Sequence, residues 1–472
     1  MDFPRTAPSS QGVDATGILA FLDAVERHEL IEPHGLIIQR HGHRITEGSW
    51  APHTPERLRL VYSLSKTFTG TALGLQLDAG LLSLDDLVSD HLPELFDDDT
   101  PDATRRMKIR HIASMSSGHD REILGEAIVA DRSNVVRAFL HIPPDAEPGT
   151  LFAYNQPPVL ALAMILQRLA GERVSDYLRP RLLEPLGVHG LRWAQFAPGL
   201  DMGFSGVHTN LDAVARLGQL YLDHGVWDGK QLLSADWVAE ASHRHIDTPL
   251  EERVDWREGY GMQVWMSRHG YRGDGAFGQY MVILPEHDAV IAMFSCVEDM
   301  QAVLDAMWEH LLPAMGGEPL QGSAADDALL DRLAGLRLPT VAERIDAKPI
   351  ERTALDGVPT MFTPGVVGEH SHRSVTSIEI DGQELVIRER ESTLRLPLTA
   401  DWRSDPGSAV SASAAAVADG RLAVDAVFLD TPHRLEIELD PATATFTANW
   451  WQLPLFGAGP PSMLANFKMP AD

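Results

Sequence analysis

Ser63 and Lys66 lie one helical turn apart in the segment VYSLSKTFTG, residues 61–70. Residues i and i+3 share one face of a helix, so the hydroxyl and the amine can meet. A serine hydroxyl is a weak nucleophile and needs a base beside it. Lysine can be that base only as a neutral amine, which burial favours, with a nearby positive charge or the helix N-terminus adding to the effect. Arginine does not deprotonate at accessible pH, so this chemistry requires lysine.

The spacing of Ser63 and Lys66 has a second interpretation. A serine that caps a helix, followed by a surface lysine, has the same pattern. The chain contains only five lysines and many arginines, so a lysine at this position is notable but not decisive. Further motifs are needed to choose between the two interpretations.

Tyr154 is a further candidate, in the segment EPGTLFAYNQPPVLALAMILQRLAG at residues 147–171. A phenol close to a lysine can pass a proton between a nucleophile and a leaving group. Gln156, two residues later, carries an amide that can hydrogen-bond Lys66 or a substrate. The alternative is a half-buried tyrosine whose hydroxyl has only a structural partner.

Three segments in this order resemble the class C β-lactamase-like serine hydrolases, a superfamily that includes penicillin-binding peptidases, D-aminopeptidases and family VIII esterases. They are VYSLSKTFTGTALGLQLDAGLLSLDDLVSDHLPE (61–94), IRHIASMSSGHD (109–120) and the segment around Tyr154. The resemblance covers roughly residues 10–315. It implies an acyl-enzyme on Ser63, Lys66 as the base and Tyr154 as the proton shuttle. It also implies a small-molecule ester or amide substrate and no metal or other cofactor.

Two motifs depart from the family pattern. The usual Tyr-x-Asn is Tyr154-Asn155-Gln156 here, so Gln156 takes the place of the second amide. The usual Lys-Thr-Gly or His-x-Gly corresponds to Gly273-Asp274-Gly275, in which the final glycine matches and the basic residue is missing. Recognition of a substrate carboxylate is therefore in doubt, and we expect weak or absent β-lactamase turnover.

The oxyanion hole does not depend on the missing base, because such holes use backbone N–H groups. The resemblance assigns it to the amides of Ser63 and Ala276, and it makes Gly273, Gly275 and Gln156 candidate substrate-binding residues. Arg272 is adjacent, but strand alternation predicts that its side chain points to the opposite face.

The sequence gives weaker support to other kinds of functional site. HRHID (243–247) has the spacing of a zinc motif, but Thr248 stands where that motif has another histidine, and the segment follows a predicted helix. Zinc needs three or four converging ligands, so we predict no metal site there. No G-x-S-x-G elbow and no Gly-rich nucleotide fingerprint is present. Trp256 and Trp265 could line an acyl pocket, although core packing is the simpler role.

Charge, cysteine content and the length of apolar runs limit the classes of partner and the cellular location that we expect. The net charge of −28 opposes binding to nucleic acid or to an anionic membrane. Cys296 is the only cysteine, so no disulfide forms within the chain. The sequence shows no signal peptide and no apolar run of about 18 residues, which predicts a cytoplasmic protein. The oligomeric state stays open.

Hydrophobic periodicity predicts the elements that position these residues. Helices are expected over 15–29, 63–79, 155–170, 211–222, 234–243 and 300–313, with strand pairs over 35–50 and 278–295. The predicted fold class is α/β (α+β): a β-lactamase/transpeptidase-like antiparallel sheet flanked by helices, plus an all-helical subdomain and a C-terminal all-β barrel or sandwich. The predicted domains are residues 1–315 (hydrolase), 316–350 (a linker with a short helix) and 351–472 (β domain).

The predicted function is a serine hydrolase, an esterase or amidase acting on a small substrate. A D-aminopeptidase, or a penicillin-binding-type peptidase with weak β-lactamase activity, is the enzymatic alternative. Acyl transfer to an acceptor other than water is a further option. A catalytically silent ligand-binding protein is the non-enzymatic alternative.

Overall fold

The computed structural model describes residues 3–351, 355, 357–389, 392–404, 408–417 and 420–455. The helices are α1 (Ala15–Arg27), α2 (Ser65–Asp78), α3 (Val88–His91), α4 (Asp102–Arg105), α5 (Ile109–Ala113), α6 (Leu124–Ala130), α7 (Val135–His141), α8 (Gln156–Ala170), α9 (Val174–Leu178), α10 (Glu184–Leu186), α11 (Leu211–Leu222), α12 (Ala235–Ala241), α13 (Met300–Ala306), α14 (Ala324–Ala334) and α15 (Val341–Arg344). None of these helices is both long and apolar enough to cross a membrane.

The strands form two large sheets and three small ones. They are β1 (Ile31–Arg40), β2 (His43–Ser49), β3 (Arg59–Leu60), β4 (Arg192–Trp193), β5 (Gln195–Ala197), β6 (Leu200–Asp201), β7 (Val207–Thr209), β8 (Val226–Trp227), β9 (Lys230–Gln231), β10 (Trp265–Met266), β11 (Tyr271–Gly275), β12 (Gln279–Leu284), β13 (Ala289–Val297), β14 (Lys348–Pro349), β15 (Met361–Pro364), β16 (Val375–Asp381), β17 (Glu384–Glu389), β18 (Thr393–Pro397), β19 (Val410–Ala416), β20 (Leu422–Phe428), β21 (Arg434–Asp440) and β22 (Thr445–Trp450).

The central sheet joins the two ends of the N-terminal domain. Its six strands are antiparallel, in the order β10-β11-β12-β13-β1-β2. Strands β1 and β13 are buried along their whole length. The sequence of β13 is nearly continuously apolar, whereas β1 also buries Glu32, His34, Gln39 and Arg40. The predicted antiparallel sheet covered by helices is thus confirmed, and helices α3–α10 make up the predicted helical region between its strands.

Small residues let helices approach one another and the sheet closely. A Cβ added at Gly218 of α11 would lie 2.7 Å from Val290 of β13, and one added at Gly74 of α2 would lie 2.3 Å from the Trp237 ring of α12. Contacts of this kind hold α2, which follows Ser63, tightly within the core.

In the part of the C-terminal domain that the structure describes, nine strands form one curled sheet, in the order β14-β19-β20-β21-β22-β15-β16-β17-β18. All of its pairs are antiparallel except β15 with β22. The curl brings Thr399, just after β18, to Ala414 of β19, whose N–H donates to the Thr399 carbonyl at 2.7 Å. The predicted all-β C-terminal domain is therefore confirmed, as a curled sheet with its own apolar core.

Several boundaries differ from the sequence predictions. The helix predicted from Ser63 begins with a 3-10 turn at Tyr62–Leu64, and α2 starts at Ser65. The helix predicted over 300–313 becomes a π-helical turn at Met307–Leu311. The segment predicted as a linker with one short helix holds two, α14 and α15, and β14 pairs before residue 351. The domain boundaries themselves stay predictions.

Candidate active site

Ser63 lies in the 3-10 turn that leads into α2, and its side chain is half-buried. The preceding residue, Tyr62, has a left-handed backbone with φ of 48°. Its carbonyl accepts a hydrogen bond from the Ser65 hydroxyl at 2.6 Å, and the Val207 N–H donates to that hydroxyl at 3.0 Å. Two hydrogen bonds of a buried serine thus hold the turn that presents Ser63 to solvent.

Lys66 is buried, with 1% of its surface exposed, and its amine lies between three oxygen atoms. Nζ is 3.0 Å from Ser63 Oγ, 2.8 Å from Gln156 Oε1 and 2.8 Å from the Phe204 carbonyl oxygen. A neutral amine has two N–H groups and one lone pair. The amide and the carbonyl can only accept, so they take both N–H groups and leave the lone pair for the Ser63 hydroxyl proton.

Burial lowers the pKa of the Lys66 amine to about 7, although the carboxylates of Asp274 and Glu122 act in the opposite direction. Both charged groups that act on the amine are acidic, so desolvation, and not a neighbouring positive charge, lowers the pKa. A lysine with this pKa is partly neutral at physiological pH and can accept a proton.

Tyr154 lies just before α8, with its ring beside the lysine. Lys66 Nζ is 4.6 Å from the centre of the Tyr154 ring, and that ring stacks on Trp265 at 5.3 Å with an angle of 19°. Burial and then the Asp274 carboxylate raise the pKa of Tyr154 well above its usual range, while Ser63 and Trp265 act in the opposite direction. Tyr154 is therefore a neutral phenol near pH 7, a proton donor and not a resident base.

Strand β11 closes the site from the other side. A Cβ added at Gly275 would lie 2.0 Å from the Val61 carbonyl oxygen and 3.2 Å from the Leu64 amide nitrogen. Only glycine allows the backbone of Gly275 and Ala276 to come this close to the turn that carries Ser63. The geometry thus places the amides of Ser63 and Ala276 on neighbouring segments of backbone.

Gly273 faces α2 as well, and a Cβ there would lie 2.5 Å from Thr67 Oγ1. Its neighbours Arg272 and Asp274 point away and form a buried ion pair at 2.9 Å. Arg272 also donates to the backbone carbonyls of Asp255 and Met266, so it is not available to a substrate at Ser63. A buried carboxylate therefore stands next to the site where the family motif has a basic residue.

The tryptophans considered in the sequence analysis have distinct places. Trp265 contributes the face on which Tyr154 stacks, and Trp256 covers the Arg272 guanidinium at 4.1 Å from its ring centre. Both are buried, so they act mainly as packing around the site.

A cleft of about 620 Å³ opens beside Tyr154. Acidic side chains outnumber basic ones in its lining: Asp120, Glu122, Asp247, Glu251 and Glu252 against Arg121 and Arg253. Burial raises the pKa of Glu251, which is half-buried, whereas the other acidic side chains of the lining are exposed. The cleft thus carries a net negative potential next to Tyr154.

Sequence reasoning missed several neighbours of the lysine. The Phe204 carbonyl comes from a loop far along the chain, and backbone groups leave no sequence signal. In the sequence, Asp274 is only the middle residue of an altered motif, and Glu122 lies just past the segment 109–120. Their carboxylates influence the amine through space, which only the fold reveals.

The HRHID segment places His243 and His245 beside Glu240, with one possible ligand atom of each within 4.8 Å of the others. One nitrogen of each ring already contacts a backbone carbonyl, of Ala239 and Glu240 respectively. Cys296 is fully buried, where the desolvation of its thiol raises its pKa.

A family model described as beta-lactamase matches residues 34–312, more than half of the chain. The chain belongs to the beta-lactamase family. Membership places it among hydrolases of the beta-lactamase fold, and the match ends before the C-terminal β sheet.

Curated relatives agree with this assignment. The chain is 27% identical over 332 residues to penicillin-binding protein 4 of Amycolatopsis lactamdurans, covering 62% of this chain and 82% of that protein. It is 25% identical over 300 residues to 6-aminohexanoate-dimer hydrolase of Paenarthrobacter ureafaciens, covering 59% of this chain and 76% of that one.

A solved structure shares both parts of the fold. The octameric penicillin-binding protein homologue of Pyrococcus abyssi superposes with a TM-score of 0.50 at 15% identity, covering 89% of this chain and 97% of that chain. At this identity the likeness concerns the fold alone.

The lysine pKa leads to a pH prediction. Because a neutral Lys66 is required to accept the serine proton, the labelling rate of Ser63 by a fluorophosphonate should rise about tenfold per pH unit below pH 7 and level off above it. Lys108→Met, which changes an exposed lysine, should keep the same profile. A rate that is flat from pH 5 to 9, or that rises only near pH 10, would contradict the assignment.

Proposed function

We propose that the protein is a serine hydrolase that cleaves a small ester or amide through an acyl-enzyme on Ser63. The observation that carries this proposal is the position of Lys66 Nζ, 3.0 Å from Ser63 Oγ and held by two fixed acceptors. A cytoplasmic location belongs to the same proposal and rests on the single cysteine.

In acylation, Ser63 Oγ attacks the substrate carbonyl carbon while its proton passes to Lys66 Nζ. The carbonyl oxygen becomes an oxyanion, which the amides of Ser63 and Ala276 are placed to stabilise. Gln156 Oε1 and the Phe204 carbonyl stay bonded to the amine and stabilise the ammonium that forms. Both acceptors are part of the resting structure, so little reorganisation is needed.

Collapse of the intermediate breaks the bond to the leaving group. Tyr154 donates its phenolic proton to the departing oxygen or nitrogen and regains one from the Lys66 ammonium, so the pair returns to its resting state. In deacylation, water attacks the ester, its proton passes through the same pair, and the acid is released with the Ser63 hydroxyl restored. A raised pKa makes the Tyr154 phenol a weaker acid, so its proton passes more readily to a basic leaving group such as an amine than to a weakly basic one.

The acidic cleft favours one alternative, an aminopeptidase-like activity on a substrate with a free amino group. Five carboxylates and two guanidinium groups line the space beside Tyr154, so a cationic amine is attracted there and a carboxylate is repelled. The altered third motif agrees, because Gly273 offers no cation and Arg272 is occupied by its ion pair with Asp274. This combination argues against efficient turnover of β-lactams, which carry a carboxylate.

The direct test is intact-mass spectrometry after incubation with a panel of esters and amides. We expect a mass increase equal to the acyl group on Ser63, and Ser63→Ala should lose both the adduct and at least about 10³-fold in turnover. Ser10→Ala, which changes an exposed serine, is the control and should keep the adduct on Ser63. Turnover that survives intact in Ser63→Ala would overturn the mechanism, and failure of every ester, amide and fluorophosphonate to modify Ser63 would favour a silent binding protein.

Substrate charge provides a second prediction. D-Ala-p-nitroanilide should be cleaved about tenfold faster than its N-acetyl derivative, and the preference should shrink at 1 M NaCl because salt screens the cleft. Glu251→Gln with Glu252→Gln should reduce the preference, whereas Asp228→Asn, on a remote exposed turn, should not. Equal rates for the two anilides, or fast nitrocefin hydrolysis, would contradict the role given to the cleft.

A further inference from the structure

Two residues with left-handed backbones flank the proposed oxyanion hole. Tyr62, with φ of 48°, precedes Ser63, and Phe277, with φ of 65°, follows Ala276. Bulky residues are unfavourable in this region and remain there only where the surrounding structure holds them. The orientation of both N–H groups therefore depends on what holds Tyr62 and Phe277.

One side chain of the C-terminal domain contacts both of them. Nε2 of His433 is 2.6 Å from the Tyr62 hydroxyl, and the His433 ring lies edge-on to Phe277 with centres 4.8 Å apart. Tyr62 and Phe277 also meet edge to face at 5.3 Å. The three rings form a closed group directly behind Ser63 and Ala276, which we call the ring cluster.

The hydrogen bond inside the ring cluster has a defined direction. Burial raises the pKa of Tyr62 well above its usual range and lowers the pKa of His433 to about 3. Both groups are therefore neutral, and the phenol donates to Nε2 of the imidazole. The imidazole also interacts with the backbone of Gln452, which acts on its pKa in the opposite direction to burial.

His433 comes from the turn between β20 and β21, and that turn is fastened to the N-terminal domain. The Asp430 carbonyl accepts from the Leu60 N–H at 2.8 Å, and the Asp430 carboxylate pairs with Arg57 at 2.6 Å. The Thr431 carbonyl accepts from Arg59 Nη2 at 3.0 Å. These bonds fix the turn to the residues that lead directly into Tyr62.

A buried cluster beside the turn strengthens the connection. Arg434 pairs with Glu32, which contacts Nε2 of His34 at 3.0 Å. Glu32, His34 and His53 each offer one possible ligand atom, and these three atoms lie within 4.8 Å of one another, as they would in a metal site. Arg59 lies 2.7 Å from Nδ1 of His34 and 3.1 Å from Nδ1 of His53, and a guanidinium can only donate. The ring protons thus sit on Nε2, so the cluster is a hydrogen-bonded network that joins the domains and not a metal site.

We propose that His433 is a positioning residue for the oxyanion hole, through which the C-terminal β domain forms part of the catalytic site. The proposal rests on the proposed function of Ser63 and Ala276. The C-terminal β domain then takes part in the proposed catalytic site and is not an independent functional unit. Loss of the Tyr62–His433 hydrogen bond would misalign the two amides without touching the substrate pocket.

Kinetics of full-length variants test the proposal. Tyr62→Phe and His433→Ala should each lower kcat for an ester about tenfold or more with KM changed less than about threefold, because misalignment affects mainly the transition state. His433→Gln keeps an acceptor and should recover most of the lost kcat. Tyr280→Phe is the matched control, since it also removes a buried phenol, one that donates to the Met300 carbonyl at 2.7 Å. It should keep kcat near the wild-type value.

Hydrogen exchange gives a readout that does not need activity. Backbone amides of residues 58–66 should exchange faster in Tyr62→Phe and His433→Ala than in the wild type, and not in Tyr280→Phe. Wild-type kcat and wild-type exchange in both cluster variants would overturn the positioning role. A wild type without Ser63-dependent turnover would overturn the proposed function instead, and the exchange rates would then decide the positioning role by themselves.

Discussion

A buried amine held between three oxygen atoms is the interaction on which the candidate site depends. Within the described part of the chain Lys66 takes no part in an ion pair, and its fixed partners are an amide and a backbone carbonyl. A pKa of about 7 in place of 10.5 corresponds to about 5 kcal/mol, at about 1.36 kcal/mol for each pH unit. The packing of the whole N-terminal domain has to supply that free energy, because it keeps water away from the amine.

The surrounding fold meets this requirement from three directions. Helix α2 brings Lys66 back toward Ser63, the start of α8 brings Tyr154 and Gln156, and strand β11 approaches so closely that residue 275 must be glycine. The C-terminal domain contacts the same place from behind through its β20–β21 turn. The site is thus enclosed by elements far apart in the chain, which explains how it can be both dry at the amine and open at the serine.

Local patterns predicted much of this arrangement. The i, i+3 spacing placed Ser63 and Lys66 on one face, and the amide of Gln156 does reach the amine as its type allowed. Through-space effects were beyond the sequence: the acidic neighbours Asp274 and Glu122, and the Phe204 carbonyl, come from distant segments. The link from His433 to Tyr62 spans 371 residues and follows no periodicity, so only the folded chain could reveal it.

The protonation state of Lys66 can be measured directly by NMR of protein labelled with ¹³C at the lysine side chains. The chain has only five lysines, so the spectrum is simple, and Lys66→Met identifies the signal of interest. The account predicts that this signal titrates with a pKa of about 7. A Lys66 signal that stays in its charged position up to pH 10 would contradict it.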